Sequence, residues 1–186
     1  MRKFIIDTDT ASDDAVALMM AFMQKDLDIL AVTVVAGNVP LEMAVQNALY
    51  TRELCQAESV PVYAGLAKPL LRKLETAQDV HGKDGLGDIG LPLAGRKPAD
   101  GHAVDVLIEL IHRHAGKIEL VTLGPLSNIA VALLRDPSIA HTIKQCYMMG
   151  GSGNHVGNVS PIAEFNIWAD PEAARIVFDS GMPITM

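Results

Sequence analysis

The chain has 186 residues, of which 49% are hydrophobic and 20% charged, with a mean hydropathy of +0.24. Those values exclude an intrinsically disordered chain and leave enough apolar material for one domain with a sizeable core. A net charge of -7 and a pI near 5.2 argue against non-specific binding to nucleic acid or to anionic membranes.

In chain order, short β-branched runs alternate with helix-period segments. Strands are expected at Lys3–Asp9, Asp28–Val35, Val60–Ala64, Lys117–Leu123 and Gln145–Met149. Helices are expected at Asp13–Lys25, Leu41–Ala57, His102–Ala115, Leu126–Arg135 and Pro171–Ser180. Most of the strand segments are continuously apolar, as strands are when helices cover both faces of a parallel sheet. Ser12 or Asp13 can cap the first helix, Pro40 precedes the second, and Asp170-Pro171 supplies a cap and a first-turn proline to the last. The order predicts an open, doubly wound, mostly parallel α/β fold formed as one domain over residues 1–186. Met19, Met20 and Met23, at helical spacing, read as core. Cys55 and Cys146 lack a CxxC spacing and read as buried free thiols of a reducing compartment.

No stretch approaches the length of a membrane span, and a strand begins almost at the N-terminus, which points to the cytoplasm. At the other end, Pro183-Ile184-Thr185-Met186 reads as the opening of a further strand, so the sequence is expected to be the front part of a longer protein.

The densest chemical signal is Asp7, Asp9, Asp13 and Asp14 at the exit of the first strand. Crowded carboxylates repel, and a hard, oxygen-binding cation is the simplest compensation. Acids at a helix N-terminus are common, but that explains one or two of them and not four. Ligands of open α/β sheets collect at the carboxyl ends of the strands. The second strand ends there in Val35-Ala36-Gly37-Asn38 and the fourth in Leu123-Gly124-Pro125-Leu126-Ser127-Asn128. The fifth ends in Met148-Met149-Gly150-Gly151, followed by Asn158, Glu164 and Asn166. Gly65–Gly101 and Gly150–Ala169 are too long for plain connections and read as functional loops. No Walker loop or GxGxxG follows the first strand. His102, His112, His114 and His141 fall at helix ends or faces and are not catalytic candidates, whereas His155 lies in the second long loop.

Asp7-Thr8-Asp9-Thr10-Ala11-Ser12-Asp13-Asp14-Ala15 resembles the DxDxxxDDA signature of the inosine–uridine-preferring nucleoside hydrolases. Val35-Ala36-Gly37-Asn38, Val80-His81-Gly82, the Leu123–Asn128 turn, Met149-Gly150-Gly151 and Gly157-Asn158 are similar to later motifs of that family. Ala163-Glu164-Phe165-Asn166-Ile167 and Asp170-Pro171-Glu172-Ala173-Ala174 complete the series in order.

The resemblance implies hydrolysis of ribonucleosides to base and ribose with a Ca2+ held by Asp9, Asp14 and the Leu123 backbone carbonyl. It implies that Asp9 takes a proton from the calcium-bound water, with Asp7 as support. Asp13 and Asn38 are implied at the ribose 2′ side, and Asn158, Glu164 and Asn166 at the 3′ and 5′ hydroxyls. His81, Met149 and Phe165 are implied as further substrate contacts. In the family a further aspartate ligand, and often a histidine, follow the position of Met186. This chain alone is therefore expected to bind Ca2+ weakly and to turn over slowly. A small-molecule ribonucleoside is the implied partner, and a homo-oligomer, dimer or tetramer, the implied assembly. Two rival functions compete. Asp7-Thr8-Asp9-Thr10-Ala11 also resembles the loop of haloacid-dehalogenase-type phosphatases, with Asp7 as nucleophile, though Ala11 departs from it. The other rival is a non-catalytic module that binds ribose or Ca2+.

Overall fold

A computed structural model describes residues 1–186. Its elements run β1 (Arg2–Thr8), α1 (Ser12–Phe22), β2 (Leu27–Val34), α2 (Leu41–Leu54), β3 (Val62–Ala64) and α3 (Gln78–His81). They continue with α4 (Ala103–Arg113), β4 (Ile118–Thr122), α5 (Ser127–Arg135) and a 3-10 turn at Pro137–His141. β5 (Gln145–Met148), α6 (Phe165–Ala169), α7 (Pro171–Asp179) and β6 (Ile184–Thr185) complete the chain. Six parallel strands lie in the order β3-β2-β1-β4-β5-β6, so the sheet is the open, doubly wound one expected from the sequence. The winding reverses between β1 and β4, and a crevice opens there at the carboxyl ends of the strands.

Alternation along the central strands feeds two cores. Ile6, Val32 and Val34 pack with Leu18 of α1 and Leu49 of α2, while Ile5, Ala31 and Leu120 pack with Leu107, Ile129 and Val177 of α4, α5 and α7. Both faces of β1 are therefore dry, which is why its sequence reads as a continuous apolar run.

Several expectations are corrected. The first helix starts at Ser12, its N-cap is Ala11, and no side chain caps it. Ser12 and Asp13 instead turn toward His81. The same helix stops at Phe22, and Met20 and Met23 are 64% and 75% exposed, so the methionine stripe is largely surface. The second helix ends at Leu54, three residues before Ala57, which leaves Cys55 half-buried while Cys146 is fully buried. β3 begins only at Val62, because Pro61 has no N–H to give the ladder, although its carbonyl accepts from Val32. The long loops contain the short helices α3 and α6.

Candidate active site

Three of the four N-terminal aspartates are buried. Asp7 and Asp9 are inaccessible and Asp14 is 5% exposed, whereas the Asp13 side chain is 66% exposed. β1 delivers Asp7 inside the sheet and Asp9 just past its end, and the first turn of α1 brings Asp14 back over it. Asp7 Oδ2 accepts hydrogen bonds from Thr33 Oγ1 (2.6 Å) and Asn128 Nδ2 (2.8 Å). Asp9 Oδ2 accepts from the Asn38 N–H at 2.6 Å, and the Thr8 hydroxyl donates to Asp14.

Burial raises all three carboxyl groups. It pushes Asp9 well above the usual carboxylate range, and the neighbouring Asp14 charge adds to the effect. Asp14 is raised to about 6, burial outweighing its bond from Thr8, and Asp7 to about 7, burial outweighing the bonds from Thr33 and Asn128.

The chain wraps Asp9 closely. A Cβ on Gly37 would lie 2.2 Å from its Oδ2, and one on Gly124 would lie 2.6 Å from its Oδ1. Only glycine permits both turns to approach the carboxylate. Even so, Asp9 Oδ1 is buried without a hydrogen-bond donor. An orphaned buried carboxylate oxygen beside a second raised carboxylate is the arrangement a hard cation satisfies. The donors at hand are Asp9, Asp14 and the Leu123 carbonyl. They are oxygens of the right kind but fewer than the six to eight typical of Ca2+, so water and substrate hydroxyls have room to complete a shell. No group of three or more acidic, histidine or cysteine side chains converges at one point. The Leu123 carbonyl already accepts from Asn166 Nδ2 at 2.7 Å, which leaves it one lone pair.

A cavity of about 550 Å³ is lined by Asn38, whose N–H binds Asp9, and by Asp13, the neighbour of Asp14, although Asp9 and Asp14 do not themselves line it. Asp13, Asn38 and His81 line one side, with Leu123 and Met149, and Asn158, Glu164, Phe165 and Asn166 line the other. The eight residues implied as substrate contacts all line this cavity. Glu164 caps α6, its carboxylate accepting from the N–H groups of Asn166 (2.9 Å), Ile167 (3.3 Å) and Gly151 (2.7 Å). Asn158 Oδ1 accepts from Phe165 N–H at 2.8 Å, so its amide N–H groups remain for a ligand. His81 Nδ1 is 2.9 Å from Ser12 Oγ and 4.0 Å from the Asp13 carboxylate. His155 does not line the cavity.

Other contributors carry no signal in the sequence. Glu75, Asp79 and Trp168 also line the cavity, brought there by the loop around α3 and by the turn of α6. Asn47 Nδ2 donates to the carbonyls of Thr10 (3.0 Å) and Asp84 (2.9 Å), pinning that loop to the end of β1. Asn128 donates to Asp7 and Val34 while accepting from Leu66, which ties three segments behind the site. The place of Asn128 in a turn motif was visible in the sequence, but its partners were not.

Residues 4–186 match the family model described as inosine-uridine preferring nucleoside hydrolase. The chain is 44% identical over 187 residues to the inosine-uridine preferring nucleoside hydrolase of Leishmania major, covering 100% of this chain and 59% of that protein. It is 46% identical over 188 residues to the pyrimidine-specific ribonucleoside hydrolase RihB of Escherichia coli O9:H4 (strain HS), covering 100% of this chain and 58% of that protein. Among solved structures, the plant nucleoside hydrolase PpNRh1 superposes with a TM-score of 0.94 at 43% identity, over 98% of this chain and 58% of that one. The purine-preferring ribonucleoside hydrolase from Gardnerella vaginalis gives 0.95 at 36% identity, over 100% and 60%. The chain thus spans a little under two thirds of each of these relatives.

Proposed function

Because the chain belongs to the inosine-uridine preferring nucleoside hydrolase family, we propose that its site hydrolyses the N-glycosidic bond of ribonucleosides, giving free base and ribose. The observation that carries this reading is the orphaned Asp9 oxygen beside Asp14, joined through Asn38 to a cavity edged with amides and carboxylates. A divalent cation held by Asp9, Asp14 and the Leu123 carbonyl, which we take to be Ca2+, would supply charge that favours both ionised carboxylates and acidifies water in its shell. Asp9 then accepts a proton from the water that attacks the anomeric carbon. A buried carboxylate fixed by Asn38 N–H and two glycines does this without reorganising.

Asp13 and Asn38 hold the ribose 2′ side. Asn158, Glu164 and Asn166 hold the 3′ and 5′ hydroxyls, with Asn158 using its uncommitted amide donors. Met149, Phe165 and His81 border the base. Glu164 and the aspartates set negative charge near the positive charge that develops on the sugar. Asp7 orients the floor through Thr33 and Asn128.

The same geometry weighs against the phosphatase reading, since Asp7 lies within β1 with its Oδ2 held by Thr33 and Asn128, whereas Asp9 lies past the end of the strand. No helix is long and apolar enough to cross a membrane. The family resemblance alone supports a homo-oligomer of two or four chains, working in cytoplasmic purine and pyrimidine salvage.

The test is release of reducing sugar from inosine, uridine and cytidine, with and without a calcium chelator. Chelation and Asp9→Asn are each expected to remove activity, the variant by roughly two to four orders of magnitude. Saturable nucleoside binding with no free ribose under any condition would instead identify a binding module.

A further inference from the structure

The cavity is lopsided in charge. Asp13, Glu75, Asp79 and Glu164 line it, and no lysine or arginine does. The charge on Glu164 is answered locally, because three backbone N–H groups converge on its carboxylate. Asp13 faces His81, whose Nδ1 is also met by Ser12. Glu75 and Asp79 are exposed and join no ion pair. The nearest cations in sequence lie outside the cavity: Arg72 and Lys73 line a separate small hollow that Glu75 shares, with Arg72 engaged by Glu172 at 3.3 Å, and Lys83, four residues after Asp79, does not line the cavity.

The same wall is aromatic. Phe165 and Trp168 both line the cavity, with ring centroids 6.2 Å apart. Aromatic faces attract cations, and acidic rims concentrate them.

We infer that this pocket selects N-ribosides whose base carries a fixed positive charge, of the pyridinium class, over neutral nucleosides of the same shape. This inference rests on the N-riboside reading above and adds the charge of the base to it. The chemistry runs in the same direction. When the C1′–N bond of such a riboside breaks, its electron pair stays on the ring nitrogen and cancels the positive charge, so the base leaves neutral with no proton supplied. Water forms the new C1′–O bond, its proton passes to Asp9, and one proton is released to solvent overall. A neutral purine or pyrimidine needs a proton as it departs.

The experiment is equilibrium calorimetry on the 186-residue chain at low ionic strength. The probes are N-ribosylnicotinamide, its neutral C-riboside isostere built on benzamide, and inosine, with ribose release followed in the same samples. The cationic probe is expected to bind about tenfold more tightly than its isostere, as two partly screened charges several ångströms away would produce. That ratio should fall to near one in the Glu75→Gln/Asp79→Asn double variant and in wild type at high salt. Both positions are exposed, so the variant keeps its fold, and the salt series tests the point independently of it. Equal affinity for the two isosteres, or a preference that survives neutralisation of both residues, would overturn the inference while inosine binding left the N-riboside reading standing. Failure of all three probes to bind would overturn both.

Discussion

Asp9 shows how much of a buried carboxylate's position is set by residues with no functional groups. Its carboxylate sits in a slot whose walls are the Cα atoms of Gly37 and Gly124. Gly37→Ala would place a methyl group 2.2 Å from Asp9 Oδ2. The carboxylate, or the turn carrying Asn38, must then move. Affinity for the divalent cation proposed for this site is expected to fall by at least about tenfold, since a misplacement near 1 Å costs that much or more at a preorganised site. A calcium titration of wild type and variant, with circular dichroism as a check on folding, measures it. The aspartate cluster was legible in the sequence because a helix N-terminus accounts for one or two acids at a strand exit and not for four. Which three are buried was not legible, since that depends on the angle at which α1 leaves the sheet. Nor were Thr33 and Asn47, whose roles exist only through partners distant in sequence.

Among the elements, long ones announced themselves and short ones did not. β1, β2 and β4 are apolar on both faces, and α4 and α5 keep their expected spans to within two residues at either end. α3 and α6 have four and five residues, too few for any periodicity, yet they present Asp79, His81 and Phe165 to the cavity. The missed cap on α1 has a physical cause: the side chains that would close its first turn are directed to His81 and the cavity. α7 is the contrasting case. Asp170 Oδ1 caps it through Ala173 N–H (3.0 Å), while Oδ2 accepts from Leu70 N–H (2.9 Å) and Ser127 Oγ (2.6 Å), all without solvent access. Asp170→Ala removes a cap and orphans two further buried donors. It is expected to destabilise the chain by about 2–4 kcal/mol, as the shift in urea midpoint will report.

Across the whole molecule, charge is sorted between the two ends of the sheet. The carboxyl end gathers the raised aspartates, and the opposite end holds Glu119 of β4, buried beneath Arg2 of β1 and Lys144 just before β5. Arg2 Nε and Lys144 Nζ each lie 3.0 Å from Glu119 Oε1. The hydrogen bond from Arg2, followed by that from Lys144, outweighs burial and holds this carboxyl at about 2, against an ordinary 4.5. A depressed carboxyl stabilises the fold above its unfolded value and loses that contribution as pH falls from about 4.5 toward 2. The two cations are half exposed, so screening reduces the effect. Glu119→Gln is expected to cost roughly 1–3 kcal/mol near neutrality, and the gap from wild type should narrow below pH 4.5. Thermal melts of both proteins across that range measure it. The open, mostly parallel sheet followed from the alternation of strand and helix, whereas its strand order and this ion cluster, joining residues 2, 119 and 144, did not.

The chain contains one tryptophan, Trp168, and it stands in the cavity wall against Phe165. Its indole emission comes from a single location, so quenching or a spectral shift on adding a compound reports an event beside Trp168, which borders the main cavity and two smaller hollows. The molecule carries its own optical gauge, and ligand screens on it need no attached dye.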